Sequence, residues 1–255
     1  MKSLLSILTL VAVLTVGLAG CAYVAADETS SRTYDLGNFT GIDAGSAFEV
    51  NITWSDEYTI KVTTVDLDSI HVEKQGQTVK IWREAAWFDF IHPAPRVDIT
   101  MPHLENLTLS GATRTQVDGF DMSTDLYINL SGASRLDVHN MSTGDLNVKV
   151  SGASRLNGVV KTYGDAGIEV SGASNVELNG FVKTVSANIC GASRALLQEY
   201  YAQNARVLLS GASRADVNLD GRLDASITGA SNLGWRGTPT MGTIETSGGS
   251  SIHNI

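Results

Sequence analysis

The sequence predicts an all-β chain wound as a single-stranded parallel β-helix, a solenoid with coils of about 20 residues and a less regular N-terminal cap. Three observations carry this prediction. The first is a tetrapeptide, Ser131-Gly132-Ala133-Ser134, whose near-copies begin at Ser110, Ser151, Ser171, Cys190, Ser210, Thr228 and Ser247. The second is its spacing: Gly111, Gly132, Gly152, Gly172, Gly191, Gly211, Gly229 and Gly248 are separated by 21, 20, 20, 19, 20, 18 and 19 residues. The third is strict alternation on either side of the tetrapeptide. Leu126, Ile128, Leu130, Leu136 and Val138 fall on one face, and Tyr127, Asn129, Arg135, Asp137 and His139 on the other.

A β-sandwich would need reversing hairpins and would not return one tetrapeptide at one phase. A constant period lets each coil lie parallel on the last, about 4.8 Å away. The coils are longer than the three-hexapeptide turn of a left-handed helix, so a right-handed winding is expected. At each corner the glycine is expected where the backbone needs positive φ or a close neighbour. The adjoining alanine is expected to point inward, and the flanking hydroxyls to bond to one another in ladders along the axis. Cys190 stands where its sister corners carry Ser or Thr, and reads as another small corner residue.

In chain order, residues 1–20 read as a secretory leader: Lys2 supplies the positive end, and residues 4–16 form an apolar run too short to span a membrane. The leader closes on Leu18-Ala19-Gly20-Cys21, which resembles the lipobox of bacterial lipoproteins. That resemblance implies cleavage before Cys21 and acylation of its sulfur and new amine, giving several acyl chains and a firm membrane anchor. Ala22 in place of an aspartate would direct such a lipoprotein to the outer membrane of a two-membrane cell. Residues 21–32 are small, polar and aperiodic, as a tether would be.

Residues 33–255 form the predicted β-helix domain. Its first part, 33–103, alternates less regularly through Phe48-Val50-Ile52, Tyr58-Ile60-Val62, Ile70-Val72, Val79-Ile81 and Val97-Ile99-Met101. These runs are expected to be opening coils, with hairpins capping the exposed end. Gln75-Gly76-Gln77 offers one turn, and Ala44-Gly45-Ser46-Ala47 reads as a degenerate first corner. The stretch 82–95 breaks the alternation with Pro93, Pro95 and the aromatics Trp82, Trp87, Phe88 and Phe90, and is expected as a loop. It would serve either as a plug for the open end of the core or as a contact surface. From 104 to 255 the repeat runs to the end, with 233–255 finishing the stack.

The run Phe39-Thr40-Gly41-Ile42, the strand Val97-Asp98-Ile99-Thr100-Met101-Pro102 and the ladder Leu107-Thr108-Leu109-Ser110-Gly111-Ala112 resemble the bacterial head GIN domain family, labelled as putative auto-transporter adhesin. The resemblance spans roughly residues 33–246. It implies a secreted or lipid-anchored envelope protein and brings no catalytic residues. The sequence departs from the label in carrying no translocator barrel, coiled stalk or membrane strand, so it is not read as an autotransporter.

A formal charge of -9 without a Lys/Arg cluster makes the chain a poor candidate for holding nucleic acid, and no nucleic-acid partner is expected. Asp118, Asp137 and Asp216 are the obvious acids, but they recur at repeat positions, so they do not mark a catalytic centre and no enzyme activity is expected. Asp216 to Gly221 opens like a calcium-binding loop, yet its twelfth position is Ile227 and Val217 and Leu219 suit a strand. The histidines show no paired ligand spacing, so no metal and no cofactor is expected.

Two candidate sites remain. Arg114, Arg135, Arg155, Arg194 and Arg214, with Asn175 and Asn232, follow successive corners and would align on one outer face, partnered by Asp137, Asp216 and Glu177. With Tyr127, Asn129 and Tyr163 nearby, that face reads as a polysaccharide groove, or as a solvated ion network worth little. The second candidate is the contact loop of Trp87, Phe88 and Phe90. The expected function is a lipid-anchored envelope module for adhesion to glycan or protein. The alternatives are a structural envelope lipoprotein without a ligand and, last, a polysaccharide-acting enzyme.

Overall fold

The structure, a computed structural model, describes residues 29–84 and 93–255. Cys21, Trp87, Phe88 and Phe90 lie outside the described residues. All regular structure is β, stacked in parallel coils as the period predicts. The strand Leu126–Leu130 pairs in parallel with Asn106–Leu109 before it and Leu146–Val150 after it. Beyond the corner, Arg135–Thr143 lies between Arg114–Asp118 and Arg155–Thr162. Two later strands, Asn175–Ile189 and Arg194–Leu209, run on around the coil and pair in parallel with one register shift between Glu177 and Asn179. The inward residues, among them Leu126, Ile128, Leu130, Leu136, Val138 and Met141, join one continuous buried core along the axis.

The corner glycines take φ between 72° and 83°, a left-handed conformation that side chains with a Cβ adopt at a cost. They also sit where coils touch. A Cβ at any of Gly132 to Gly248 in this column would come within 2.4 to 2.7 Å of the preceding corner glycine's carbonyl oxygen. That carbonyl is already committed, as Ala153 N–H donates to Gly132 O and Ala173 N–H to Gly152 O, both at 2.8 Å.

The alanines do not point inward as expected. Ala133, Ala153 and Ala173 are exposed, while the fourth residue of each corner, such as Ser134, Ser154 and Ser174, is buried. The physical reason is strand phase. Ser134 lies two and four residues before the buried Leu136 and Val138, whereas Ala133 is in phase with the outward Arg135.

The hydroxyl ladder is also corrected. Ser134 Oγ donates to Ser131 O at 2.8 Å and Ser231 Oγ to Thr228 O at 2.9 Å, closing their own corners. Ser174 and Ser193 Oγ donate to Gly152 and Gly172 carbonyls of preceding coils. Among the described corner residues only Ser213 and Ser231 pair hydroxyl to hydroxyl, at 3.2 Å. A buried hydroxyl bonds to whatever acceptor the tight corner supplies, and the nearest are backbone carbonyls.

The N-terminal part forms coils of the same stack, but not in sequence order. Gly41–Ala44 lies in parallel between Thr78–Arg83 and Asn106–Leu109, and Glu49–Trp54 between Arg96–Met101 and Arg114–Asp118. The first coil of the chain is therefore the second in space. The cap is antiparallel: Thr59–Thr64 pairs with Arg96–Met101, Ser30–Tyr34 covers Thr59–Thr64, and Ile70–Gln75 pairs with Thr78–Arg83 through Gly76. Trp82 belongs to that last strand and stacks on His71 with ring centroids 5.1 Å apart, so the break in alternation begins after 82. In the degenerate corner the register puts Ser46, not Gly45, opposite Gly111, and Ser46 takes φ 71°. The stack finishes with Thr240–Thr246 on Arg222–Ile227 and Ser251–Asn254 on Asn232–Arg236.

One coil holds an oversized core residue. Tyr200 is fully buried opposite Gly180, and its hydroxyl shares a 2.6 Å hydrogen bond with Thr162.

Candidate functional site

Strand register assembles the arginine column from the sequence outward. Arg114, Arg135, Arg155, Asn175, Arg194, Arg214 and Asn232 are successive Cα partners across neighbouring coils. At its N-terminal end Glu49 separates Arg114 from Arg96. Two residues on, a parallel column runs through Asp98, Asn51, Gln116, Asp137, Asn157 and Glu177. Both columns project outward because they occupy the non-core phase of each strand.

The arginines fall into two groups. Arg96, Arg135 and Arg214 reach Asp98, Asp137 and Asp216 two residues along their own strands, at 2.9, 2.8 and 2.8 Å. Burial pushes the Asp137 carboxyl up, but hydrogen bonds from Arg135 and from Asn157 Nδ2, at 2.8 Å, outweigh it and hold the carboxyl below its usual range. Asp98 is treated the same way by burial, Arg96 and Asn51. Arg114, Arg155 and Arg194 are exposed and form no ion pair among the described residues. Glu177, expected to neutralise this face, forms none there either. The pairs of Arg96 and Arg135 are open to solvent and each worth roughly 0–1 kcal/mol, so they shape the face more than they stabilise the fold. The Asp216 carboxylate of the third pair, with Arg214, is buried. Glu49, Arg96, Arg114, Gln116, Arg135 and His139 line a groove of about 770 Å³ along it.

Tyr127 does not join the arginines, contrary to expectation. It stands in Leu126–Leu130, before the corner, where it lines a separate groove with Asn106, Asn129, Asn147, Lys149 and Asn188. The corner redirects the chain, so residues that alternate in phase on either side of it face different directions. Tyr163 also belongs elsewhere. On a third side of the coil it packs edge-on against Phe181, with centroids 5.8 Å apart, and Phe181 is in register with Tyr201. Phe181 and Tyr201 were missed in the sequence, although the signal was there: both occupy outward phases, beside inward Val182 and Ala202.

The acids raised as catalytic candidates have structural partners. Asp137 and Asp216 pair with arginines, and Asp118 accepts from Asn140 Nδ2 at 3.1 Å. Among the described residues no group of three or more His, Cys, Asp or Glu side chains gathers to hold a metal.

The family model described as putative auto-transporter adhesin, head GIN domain, matches residues 38–164 and 162–239. No curated protein matches the chain. Among solved structures, one described as a putative adhesin from Parabacteroides distasonis is 16% identical with a TM-score of 0.82, covering 89% of this chain and 97% of that one. A putative adhesin from Parabacteroides merdae gives 16% and 0.82, with 89% and 96% covered. A Parabacteroides distasonis protein described as a putative lipid binding protein gives 18% and 0.81, with the same coverages of 89% and 96%. At these identities the likeness shows the fold.

Proposed function

The chain belongs to the head GIN domain family of putative auto-transporter adhesins, and from that membership we propose a lipid-anchored adhesion module that holds a glycan along the arginine side of its β-helix. The single observation that carries this reading is the column of outward arginines with Arg114, Arg155 and Arg194 left without ion pairs among the described residues. A guanidinium is a planar fork that matches a carboxylate with two hydrogen bonds. Repeating it along a rigid axis, at multiples of about 4.8 Å, suits a polymer that repeats its own acid groups. An acidic polysaccharide is therefore the favoured ligand, and the reading is non-catalytic.

The test is binding of the β-helix domain to an immobilised uronic-acid polysaccharide. Changing Arg114, Arg155 and Arg194 together to Gln is expected to weaken binding roughly 10-fold or more, with unchanged thermal stability. Binding should also fall with added salt. Equal binding by the triple variant would remove the arginine column from the site. No binding by the parent domain would favour a structural envelope role, which the self-neutralised Arg135–Asp137 and Arg214–Asp216 pairs also suit.

The anchor rests on Leu18-Ala19-Gly20-Cys21, and Ala22 points to the outer membrane of a two-membrane cell. Cys21→Ala is expected to move the protein from the membrane fraction to the soluble fraction. Retention of that variant on membranes would rule the lipid anchor out.

A further inference from the structure

We propose that Tyr163, Phe181 and Tyr201 form a stacking subsite for the sugar rings of an uncharged glycan, on a side of the β-helix separate from the arginine column. The three rings are 58%, 40% and 39% exposed, and the fold does not require them there. In the register column of Phe181 and Tyr201, the neighbouring coils carry Lys161 and Asn218. The repeat is thus broken locally, in the coils that bear the aromatics, and in the direction of greater apolar exposure.

The rings are also held in place. Phe181 and Tyr201 are register partners on adjacent strands, so their backbones are fixed by the ladder. Tyr163 meets Phe181 at an interplanar angle of 63°. Tyr201 donates its hydroxyl to Asp220 Oδ2 at 3.2 Å, and Asp220 is itself held by the Thr238 backbone N–H at 2.9 Å. A preset platform of this kind binds without first ordering its side chains.

Charge decides the occupant. Lys161, Lys183 and Arg236 are interleaved with Glu199 and Asp220 around the rings, and Arg236 is paired to Glu199 at 3.2 Å. Neither sign dominates, so the surface offers little to an ionic polymer or an anionic bilayer. It does offer apolar faces beside both donors and acceptors, including the exposed Gln203. A pyranose ring has the matching chemistry: a C–H face for the aromatic and a rim of hydroxyls that donate and accept. The subsite stands independently of the arginine column, and either can fail without the other.

Affinity electrophoresis of the β-helix domain through gels containing hydroxyethyl cellulose, a yeast mannan or a galactan tests the proposal. At least one gel is expected to retard the parent domain. The triple change of Tyr163, Phe181 and Tyr201 to Ala should weaken that interaction roughly tenfold or more, while leaving the melting temperature close to the parent's. Phe181→Tyr should retain it. The Arg114, Arg155 and Arg194 to Gln variant should be retarded like the parent, which keeps failure of the two sites distinguishable. No retardation by any of the three polysaccharides, or equal retardation of the aromatic variant, would overturn the subsite. So would binding to phosphatidylglycerol vesicles that is lost in the aromatic variant, since that would make the platform a lipid contact.

Discussion

Gly152→Ala is expected to destabilise the β-helix by roughly 2–5 kcal/mol, because it imposes two separate costs. The first is conformational: Gly152 has φ 79°, where a residue with a Cβ is disfavoured by about 1–2 kcal/mol. The second is a collision. The new Cβ would lie 2.4 Å from Gly132 O and 3.1 Å from Gly132 N, and backbone in a hydrogen-bonded ladder cannot swing aside. Relief requires the coils to part, which strains the flanking Ser151 N–H to Leu130 O and Arg155 N–H to Ser134 O bonds, both 2.9 Å.

Gly76→Ala supplies the control. Gly76 also has positive φ, 62°, but nothing lies within 4 Å of the point its new methyl would occupy, so only the conformational cost of about 1–2 kcal/mol applies. Denaturant or thermal unfolding of the two variants separates the effects, at roughly 2–4 °C per kcal/mol for a chain of this size. Equal losses would mean that the stacking contact contributes nothing beyond φ.

Tyr200→Ala is expected to cost about 3–5 kcal/mol by opening a cavity that the rigid coil cannot close. The site is defined by Gly180 in the preceding coil. Gly180, the register partner of Tyr200, has no side chain to move in and refill the space. Tyr200→Phe should cost less, about 1–2 kcal/mol, by leaving Thr162 Oγ1 buried without its 2.6 Å partner.

The same pair gives a pH signature. Burial pushes the Tyr200 hydroxyl up from 10.0 to about 12, with the Thr162 bond acting in the opposite direction. A raised folded-state value means that the folded chain holds this proton more tightly than the unfolded one. The stabilisation is complete below pH 10 and is lost as pH rises towards 12. The parent should therefore lose more stability over that interval than Tyr200→Phe, as followed by urea midpoints at each pH. Parallel losses would show that the buried hydroxyl does not govern alkaline stability.

The arginine column and the aromatic platform differ in how far they could be read from sequence. The column follows from period alone, since Arg135, Arg155, Arg194 and Arg214 share one offset from their corner glycines. Phe181 and Tyr201 share no motif, and only their outward phase marks them. Tyr127 shows the limit of phase. It is outward in its strand as Arg135 is in its own, but phase says in or out and does not say towards which side. Sides are set by the angle of the corner, a property of the folded backbone.

What the amino-acid order determined by itself is the repeating unit: its length, its inward residues and the glycine at its corner. Those are local, because alternation and positive φ are properties of consecutive residues. The tertiary structure alone decided which coil lies beside which. Gly41–Ala44 pairs with Thr78–Arg83 on one edge and Asn106–Leu109 on the other, and no period in residues 33–103 announces that order. The meeting of Tyr163 with Phe181 likewise depends on how the coils stack. Contacts between coils are made by residues far apart in the chain, and a repeat constrains them only where it is unbroken.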